Sequence, residues 1–194
     1  MLRTQLAPSR VLLLALAWAA AGVPGGCMGG GSSGGKSFTR RGIEREYVAS
    51  PDFGAPRGRE FSDIIPVGAR ITAVHVAHAE RINAIWLSFE RNGEVRQTPR
   101  RGGAGGKVQT LKLTGREKLL GIHGYGHGTV DELIIATNRR VVAFGDGKAP
   151  GMDGNPPACA TLTARQKQQY LGIGFTGRAD DELRQLSLRI QLRR

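Results

Sequence analysis

The residues with the most evident chemistry in this sequence are consecutive carboxylates near the C-terminus, Asp180, Asp181 and Glu182. Hydrolysis of a glycosidic bond requires two carboxylates on opposite sides of a cleft. Adjacent side chains at the tip of one turn do not span a cleft, and a solvated acidic loop is the simpler interpretation. No sequence context typical of a serine or cysteine nucleophile accompanies them. We therefore predict that the protein is not an enzyme.

Four histidines are the other candidates for chemistry, as metal ligands. His75 and His78 are three residues apart on a predicted strand, where such side chains point to opposite faces. His123 and His127 would converge across a glycine turn, but two ligands are too few for a metal site. We therefore predict no metal site.

Three copies of one hairpin pattern must position any functional side chain. In each copy an apolar strand enters a polar turn, and the chain returns through apolar residues spaced by three and then by two. Ile85, Leu133 and Leu186 are equivalent positions, 48 and 53 residues apart. A hairpin with one apolar face cannot bury that face alone, so three hairpins turned inward around one axis would share a core. The step of three predicts a bulge or a turn exit.

Glycine-rich loops and short strands connect these hairpins. Val108–Leu113 alternates in polarity, which predicts a strand with one buried face, and Asn92-Gly93 is a strong hairpin turn signal. The loop 99–107 contains four glycines, and a second Gly/Pro loop covers 145–158. Glycine places backbone at positive φ and brings amides close to a ligand. The pattern predicts an all-β domain over residues 52–194.

The first residues are typical of a targeting segment. Arg3 and Arg10 precede an apolar run over 11–23, which is too short to span a bilayer comfortably. We interpret residues 1–26 as a signal peptide, with a retained membrane anchor as the alternative. Cys27 follows small residues and resembles a bacterial lipoprotein processing site, where the cysteine is acylated. The alternative is ordinary signal-peptide cleavage after residues 19–21.

Residues 27–51 are predicted to be a tether and stalk. Residues 28–36 are almost all Gly and Ser, which form a flexible coil, and 36–50 suit a stalk or a short added strand. Lipidation of Cys27 would explain the tether. It would anchor the protein in the cell envelope or at the cell surface after secretion across the inner membrane. A disulfide from Cys27 to Cys159 would join two poorly ordered segments, so Cys159 is interpreted as a lone, small buried thiol.

The chain is strongly basic. Its 28 Lys and Arg against 16 Asp and Glu give a formal net charge of +12, and +10 is left after Arg3 and Arg10 are removed with the signal. Such a charge favours polyanions such as acidic polysaccharide, lipid headgroups or nucleic acid. The arginines are scattered and no nucleic-acid-binding motif accompanies them, so no specific nucleic-acid partner is predicted. The alternative is that the basic composition has no role in binding.

Three stretches together resemble the jacalin-related lectin family: Gly102–Gly106 before an alternating strand, Ile122–Gly145, and Ile173–Arg178 entering the last strand. The resemblance covers about residues 52–192. It implies a β-prism I fold, with three Greek-key four-stranded sheets around a pseudo-threefold axis, in agreement with the three hairpins. It also implies carbohydrate binding through loops at one end of the prism, without a metal or other cofactor.

In that family the usual sugar site pairs an N-terminal Gly-rich loop with a last-hairpin motif of Gly, three residues, then Asp. At the matching positions of this chain, Asp180 replaces the Gly and Arg184 stands where the acceptor Asp belongs. The loop from Gly54 to Gly58 contains Pro56, which has no N–H to donate. Arg184 offers donors only, which suits an anionic ligand better than a neutral sugar.

The threefold repeat supplies two further candidate sites. Asp131 takes the acceptor position in the second hairpin and would face the loop 145–151, and Asn83 takes it in the first hairpin and would face 102–106. Sugar hydroxyls need carboxylate acceptors and fixed backbone amides, so we favour Asp131; an ordinary solvated turn carboxylate is the alternative. The candidate carbohydrate-binding residues are Gly54, Asn83, Gly102, Gly103, Gly128, Thr129, Asp131, Gly145, Asp146, Asp180, Asp181 and Arg184.

Two functions are consistent with these residues. The first is a surface-anchored lectin-like module that recognises glycan through Gly-rich loops, and Gly102–Gly106 and Asp131 favour it. The second is a structural or adhesion prism that has lost sugar binding and holds an anionic polymer or a protein partner through its basic surface. Arg184 in place of the family's Asp favours the second.

Overall fold

The structure is a computed structural model that describes residues 47–50, 52–126, 128–146 and 169–192. The predicted signal segment, Cys27, His127 and Cys159 lie outside these residues. Within them no helix combines the length and apolar character needed to cross a membrane. The described strands are β1 Tyr47–Ala49, β2 Phe53–Gly54, β3 Arg59–Ile64, β4 Arg70–His78, β5 Ile82–Arg91, β6 Glu94–Gln97, β7 Arg101–Gly102, β8 Lys107–Lys112, β9 Leu119–Tyr125, β10 Glu132–Thr137, β11 Val141–Phe144, β12 Tyr170–Ala179 and β13 Leu183–Leu192.

The first predicted hairpin, β4 and β5, lies at the centre of one antiparallel sheet. Strand β8 pairs with β4, and β6 and β7 both pair with β5, so β6 and β7 are two parts of one interrupted edge. The spatial order β8, β4, β5, β6 is that of a Greek key. The turn that joins β5 to β6 contains Asn92 and Gly93, both at positive φ, as the Asn-Gly signal predicted.

The third hairpin, β12 and β13, is completed by strands from the N-terminal side of the domain. Strand β3 pairs with β12, and β1 and β2 both pair with β13. Tyr47 lies opposite Gln191, so this sheet begins before Asp52. The second hairpin, β9 and β10, continues into β11 within the described residues, and residues 147–168 lie outside them. The predicted all-β fold with three antiparallel sheets is confirmed.

The apolar faces of the three hairpins meet in one core. Ile85, Leu133 and Leu186, the equivalent positions of the repeat, are at most 1% exposed. The return strands also touch through their backbones where they begin. The Ile82 N–H donates to the Val130 carbonyl at 2.8 Å, and the Val130 N–H donates to the Leu183 carbonyl at 2.9 Å. These three fully buried residues mark the line around which the sheets are arranged.

The two ends of the domain are built from different connections. We call the end with the three hairpin turns, 79–81, 126–131 and 180–182, the loop end. We call the other end, with the connections 65–69, 113–118 and 138–140, the far end. The β4–β5 and β12–β13 turns are joined at the loop end by the Arg81–Glu182 ion pair, 3.1 Å long.

Glu117 organises the connections of the far end. Its side chain is almost fully buried, and it accepts hydrogen bonds from Thr137 Oγ1 at 2.8 Å and from the Thr114 N–H at 3.2 Å. Arg140 Nε donates to it at 3.0 Å. Arg140 also donates to the carbonyl of Lys112 at 2.7 Å. The buried carboxylate therefore ties the β8–β9 connection to the β10–β11 turn.

The Glu117 network predicts acid sensitivity. Burial acts to raise the pKa of Glu117, but the hydrogen bonds from Thr137, Thr114 and Arg140 outweigh it and hold the pKa below its ordinary value of 4.5. A carboxyl whose pKa is lowered by folding stabilises the protein above its unfolded pKa, and this stabilisation is lost as the pH falls through the folded pKa. Glu117→Gln should lower the free energy of unfolding at neutral pH by about 1–3 kcal/mol.

The measurement is urea unfolding of both proteins at neutral pH and at steps below pH 4.5, the ordinary pKa of this carboxyl. The stability difference between wild type and Glu117→Gln should shrink over that acidic range. Glu80→Gln, at an exposed loop-end carboxyl, is the matched control. An equal loss from both variants, or a difference that does not change with pH, would contradict the role of Glu117.

Candidate functional site

Asn83, Asp131 and Arg184 occupy equivalent places at the start of the return strands, and in the first and third hairpins this place is a bulge. In the first hairpin the pairing passes from Ala77 with Ala84 to His78 with Ile82, which leaves Asn83 as the extra residue. In the third hairpin Arg184 is skipped in the same way between Gln185 and Leu183. A bulge of this kind re-aims a side chain at the edge of the ladder. The bulge that the apolar spacing predicted is therefore present in both hairpins.

Asp131 takes the same place in the second hairpin. It directly precedes Glu132, the first residue of β10, which pairs with Tyr125, and its own N–H donates to the Tyr125 carbonyl at 2.7 Å. Asn83, Asp131 and Arg184 each follow one of the three buried residues that lie against the axis. The fold thus brings one of these residues to each hairpin turn of the loop end.

A glycine at positive φ lies against each bulge. The Gly103 N–H donates to the Asn83 carbonyl at 3.0 Å, and the Ala55 N–H donates to the Arg184 carbonyl at 2.8 Å. Gly102, with φ of 110°, would bring a β-carbon to 2.0 Å from the Asn83 carbonyl oxygen. The corresponding distance from Gly54, with φ of 93°, to the Arg184 carbonyl oxygen is 2.1 Å. Backbone approaches backbone too closely here for any side chain.

The second site has the same construction, with Gly145 as its glycine. Gly145 has φ of 129°, and a β-carbon there would lie 2.7 Å from Glu132 Cγ and 3.1 Å from the Asp131 carbonyl oxygen. Asp146 follows and is exposed. The predicted facing loop, 145–151, is described only as far as Asp146. Gly145 and Asp146 therefore lie beside the Asp131 bulge, and residues 147–151 lie outside the described part of the chain.

The carboxylate of Asp131 is held in one orientation and is partly exposed. Thr129 Oγ1 donates to Asp131 Oδ1 at 2.6 Å, and Thr129 itself is buried. A carboxylate has about four lone-pair positions, so this bond leaves further acceptor positions on the group. Gly128 is exposed, with open space where its side chain would be. Among the described residues, the arrangement combines an oriented acceptor with open space at Gly128.

An aromatic pair, His123 and Tyr125, borders the Asp131 turn, and Tyr125 was not singled out from the sequence. Tyr125 packs edge-on against His123 with ring centroids 4.7 Å apart. Burial lowers the pKa of His123 below 6.5, so that its ring is neutral near pH 7. The signal in the sequence was the position of Tyr125, the last residue of an outgoing strand directly before Gly126. A tyrosine offers an apolar body and a polar tip, which suits a ligand with both kinds of surface.

The first site is occupied by its own side chain. A β-carbon at Gly106 would lie 2.6 Å from Asn83 Oδ1, and one at Gly105 would lie 3.3 Å from Asn83 Nδ2. The Asn83 amide therefore rests against the glycine loop that it was predicted to face. Arg100 donates to the carbonyls of Gly103 and Gly105 at 3.0 and 3.3 Å and lies over the Trp86 ring. The loop carbonyls are thus already partnered.

Arg184, in the third site, is neutralised within its own turn. Its guanidinium pairs with Asp180 at 2.8 Å, with Asp181 at 3.2 Å and with Glu182 at 3.2 Å. The hydrogen bond from Arg184 lowers the pKa of Asp180 to about 2, so this carboxyl is ionised at neutral pH. The positive charge that suited an anionic ligand in the sequence is surrounded by three carboxylates. Asp180 and Asp181 are in turn engaged as partners of Arg184.

The histidines of the first sheet are held by neighbouring polar side chains. His75 Nε2 lies 2.7 Å from Ser88 Oγ, and His78 Nε2 lies 3.0 Å from Gln109 Oε1. Among the residues that the structure describes, no group of three or more His, Cys, Asp or Glu side chains is placed to hold a metal ion. That the protein binds no metal stays a prediction.

Comparison with known proteins identifies the family. Residues 50–188 match the family model of the Jacalin-like lectin domain. The chain belongs to this family. No curated protein sequence matches the chain, so the domain model and the solved structures are the informative comparisons. The matched range contains Gly54, Asn83, Asp131 and Arg184, so all three candidate sites belong to the jacalin-like domain.

The jacalin-like domain is also similar to solved plant lectin structures. The artocarpin–mannotriose complex is 20% identical, with a TM-score of 0.59 over 77% of this chain and 100% of that one. A mannose-binding jacalin-related lectin from Ananas comosus is 20% identical, with a TM-score of 0.56 over 76% and 99%. Frutapin from Artocarpus incisa is 21% identical, with a TM-score of 0.57 over 77% and 100%. These likenesses concern the fold, and they confirm the predicted β-prism.

A substitution at Gly102 tests the close approach between the glycine backbone and the backbone of the Asn83 bulge. Gly102→Ala should destabilise the domain by about 2–4 kcal/mol, because the added carbon combines a strained φ with a backbone clash. Gly93→Ala is the matched control. It has φ of 81° but nothing within 4 Å of the added carbon, so it should cost only about 1 kcal/mol. Urea unfolding of both variants measures the difference, and equal losses would show that the close approach at Gly102 is absent.

Proposed function

We propose that the jacalin-like domain binds neutral glycan at the Asp131 turn of the loop end. One observation carries the proposal: of the three equivalent bulge residues, Asp131 is the one with a carboxylate, and Thr129 holds it in a partly exposed position. The solved mannose-binding lectin from Ananas comosus and the artocarpin–mannotriose complex support carbohydrate as the ligand class.

The chemistry of the Asp131 turn suits a polyhydroxylated ligand. A sugar hydroxyl would donate to the carboxylate in a charge-assisted hydrogen bond, which is stronger than a bond between neutral groups. Thr129 orients the acceptor before the ligand arrives, which lowers the entropy lost on binding. Gly128 is exposed beside the carboxylate, and the Tyr125 ring borders the turn. Gly145 and Asp146 form the described part of the facing loop.

The other two sites contribute less to this function. Asn83 lacks a charged acceptor, and its amide is packed against Gly105 and Gly106. Arg184 has no acceptor atom in its side chain and is engaged by three carboxylates. A single neutral-glycan site per domain is therefore the simplest assignment. Gly54, Gly102 and Gly103 serve the backbone construction of the other two sites.

Asp131→Asn tests the assignment, because it keeps the side-chain shape and removes the charge. We expect glycan affinity to fall at least tenfold, since a hydrogen bond to a charged group is worth about 1.5–3 kcal/mol. Glu94→Gln, which removes the same charge from an exposed far-end turn, should bind as the wild type does. A glycan array identifies the ligand, and titration calorimetry of the three proteins measures the affinity.

The salt dependence of binding distinguishes neutral-glycan recognition from the alternative, an anionic polymer held by the basic surface. Binding of neutral glycan should resist high salt, because screening acts mainly between exposed charges. Binding restricted to sulfated or uronic glycans and abolished by salt would instead support an anionic polymer held by the basic surface. Equal affinity of the Asp131→Asn and wild-type proteins for a neutral glycan would reject the Asp131 site. That the protein is not an enzyme stays a prediction, which turnover of any bound glycan would contradict.

We also propose that Cys27 carries a lipid anchor and that the protein is displayed from the cell envelope. The sequence supports this through the apolar run over 11–23, the small residues before Cys27 and the Gly/Ser tether after it. Cys27→Ser should abolish incorporation of a labelled fatty acid and release the protein from membranes. Cys159→Ser is the matched control and should be labelled normally. Labelling that persists in Cys27→Ser would contradict the anchor.

A further inference from the structure

We propose that the far end of the domain docks on an anionic lipid surface. The first support is the distribution of charge. The far-end segments 64–71, 112–118 and 138–142 contain six cationic residues and one carboxylate, Glu117. The loop-end segments 79–83, 128–132 and 180–184 contain six carboxylates and two arginines. The glycine loops 54–58 and 100–107 add Arg57, Arg100, Arg101 and Lys107 to the loop end, and the β5–β6 turn over 90–94 adds Glu90, Arg91 and Glu94 to the far end. The far end then has seven cations against three carboxylates and the loop end six against six, so the far end is the one that negative lipid headgroups attract.

Two cations of the far end are available to such a surface. Arg116 and Arg139 are both exposed, and no carboxylate among the described residues pairs with either of them. The carboxylate of Glu117 is turned inward, where Thr137, Thr114 and Arg140 hold it. Of the other far-end carboxylates, Glu90 pairs with Arg70 and Glu94 pairs with Arg96. Neither of them is a partner of Arg116 or Arg139.

Large apolar side chains are exposed among these cations. Val67 is 58% exposed, and Ile64 is 44% exposed. Val67 lies in a tight turn in which the Ala69 N–H donates to the Pro66 carbonyl at 3.0 Å, so the turn holds the side chain outward. Both residues line a cavity of about 660 Å³ together with Arg70 and Arg116. Apolar side chains bordered by arginine and lysine are typical of surfaces that lie in the headgroup region of a bilayer.

The connection to the N-terminal segment points to the same end. Tyr47 pairs with Gln191, and Gln191 lines the same cavity as Val67. The described chain therefore enters the domain at the far end. An anchor on the preceding residues, such as the one proposed at Cys27, would be attached at the end that carries the basic, apolar-edged surface. The inference does not depend on glycan binding, because no residue of the Asp131 turn takes part in it.

The experiment is flotation of the full chain with lipid vesicles. Vesicles of phosphatidylcholine alone are compared with vesicles in which roughly a third of the lipid is phosphatidylglycerol, at low and high salt. Val67→Ser and Arg116→Glu are the test variants. Val108→Ser and Lys107→Glu are the matched controls, since Val108 is 47% exposed and both residues lie on β8 near the loop end. All four variants should keep the wild-type melting temperature.

We expect the fraction bound to anionic vesicles to fall several-fold in Val67→Ser and Arg116→Glu and to stay unchanged in the two controls. Hydrogen exchange on the full chain gives a second measurement. On vesicles the amides of 65–69 and 114–118 should gain protection, whereas those of 79–83 and 102–106 should not. Binding that persists undiminished in both test variants, an equal loss in test and control variants, or protection confined to the loop end would each overturn the proposal.

Discussion

The loop end depends on the backbone contacts between the three return strands at the axis. Ile82 donates to Val130, and Val130 donates to Leu183, where all three residues are fully buried. A buried amide without a partner costs about 1–3 kcal/mol. Each return strand must therefore begin where its first residues can form the backbone hydrogen bond to the neighbouring strand. The next residue along each strand is then Asn83, Asp131 or Arg184. One hydrogen-bonded axis therefore sets the position of all three candidate side chains.

The charge of the whole chain conceals a separation between the two ends of the domain. The hairpin turns of the loop end are mostly acidic, and the connections of the far end are mostly basic. A neutral-glycan site and a surface for polyanions are therefore not competing interpretations of one set of residues. The two hypotheses concern opposite ends of the domain, because Asp131 lies at the loop end and the exposed Arg116 and Arg139 lie at the far end. The composition alone could not show this, since it sums over both ends.

The features that the sequence predicted well are those set by local patterns. The repeated spacing around Ile85, Leu133 and Leu186 predicted the three hairpins, their shared core and the bulges, because apolar periodicity and burial have the same cause. The neutralisation of Arg184 was not predicted, because it depends on how one turn folds three carboxylates around a guanidinium. The exposed Val67 was not predicted either, since a turn has no periodicity that shows which side its residues face.

The glycines of the loops are weaker evidence for binding than their number suggests. Gly54 and Gly102 both have positive φ, and a β-carbon on them would lie 2.1 and 2.0 Å from the carbonyl oxygens of Arg184 and Asn83. One of them lies beside Arg184, which has no acceptor, and the other lies beside Asn83, which fills its own loop. Backbone packing accounts for both glycines without a ligand. The glycine loops therefore do not distinguish the three bulges, which differ in the side chain that each presents: an amide, a carboxylate and a guanidinium on one repeated backbone.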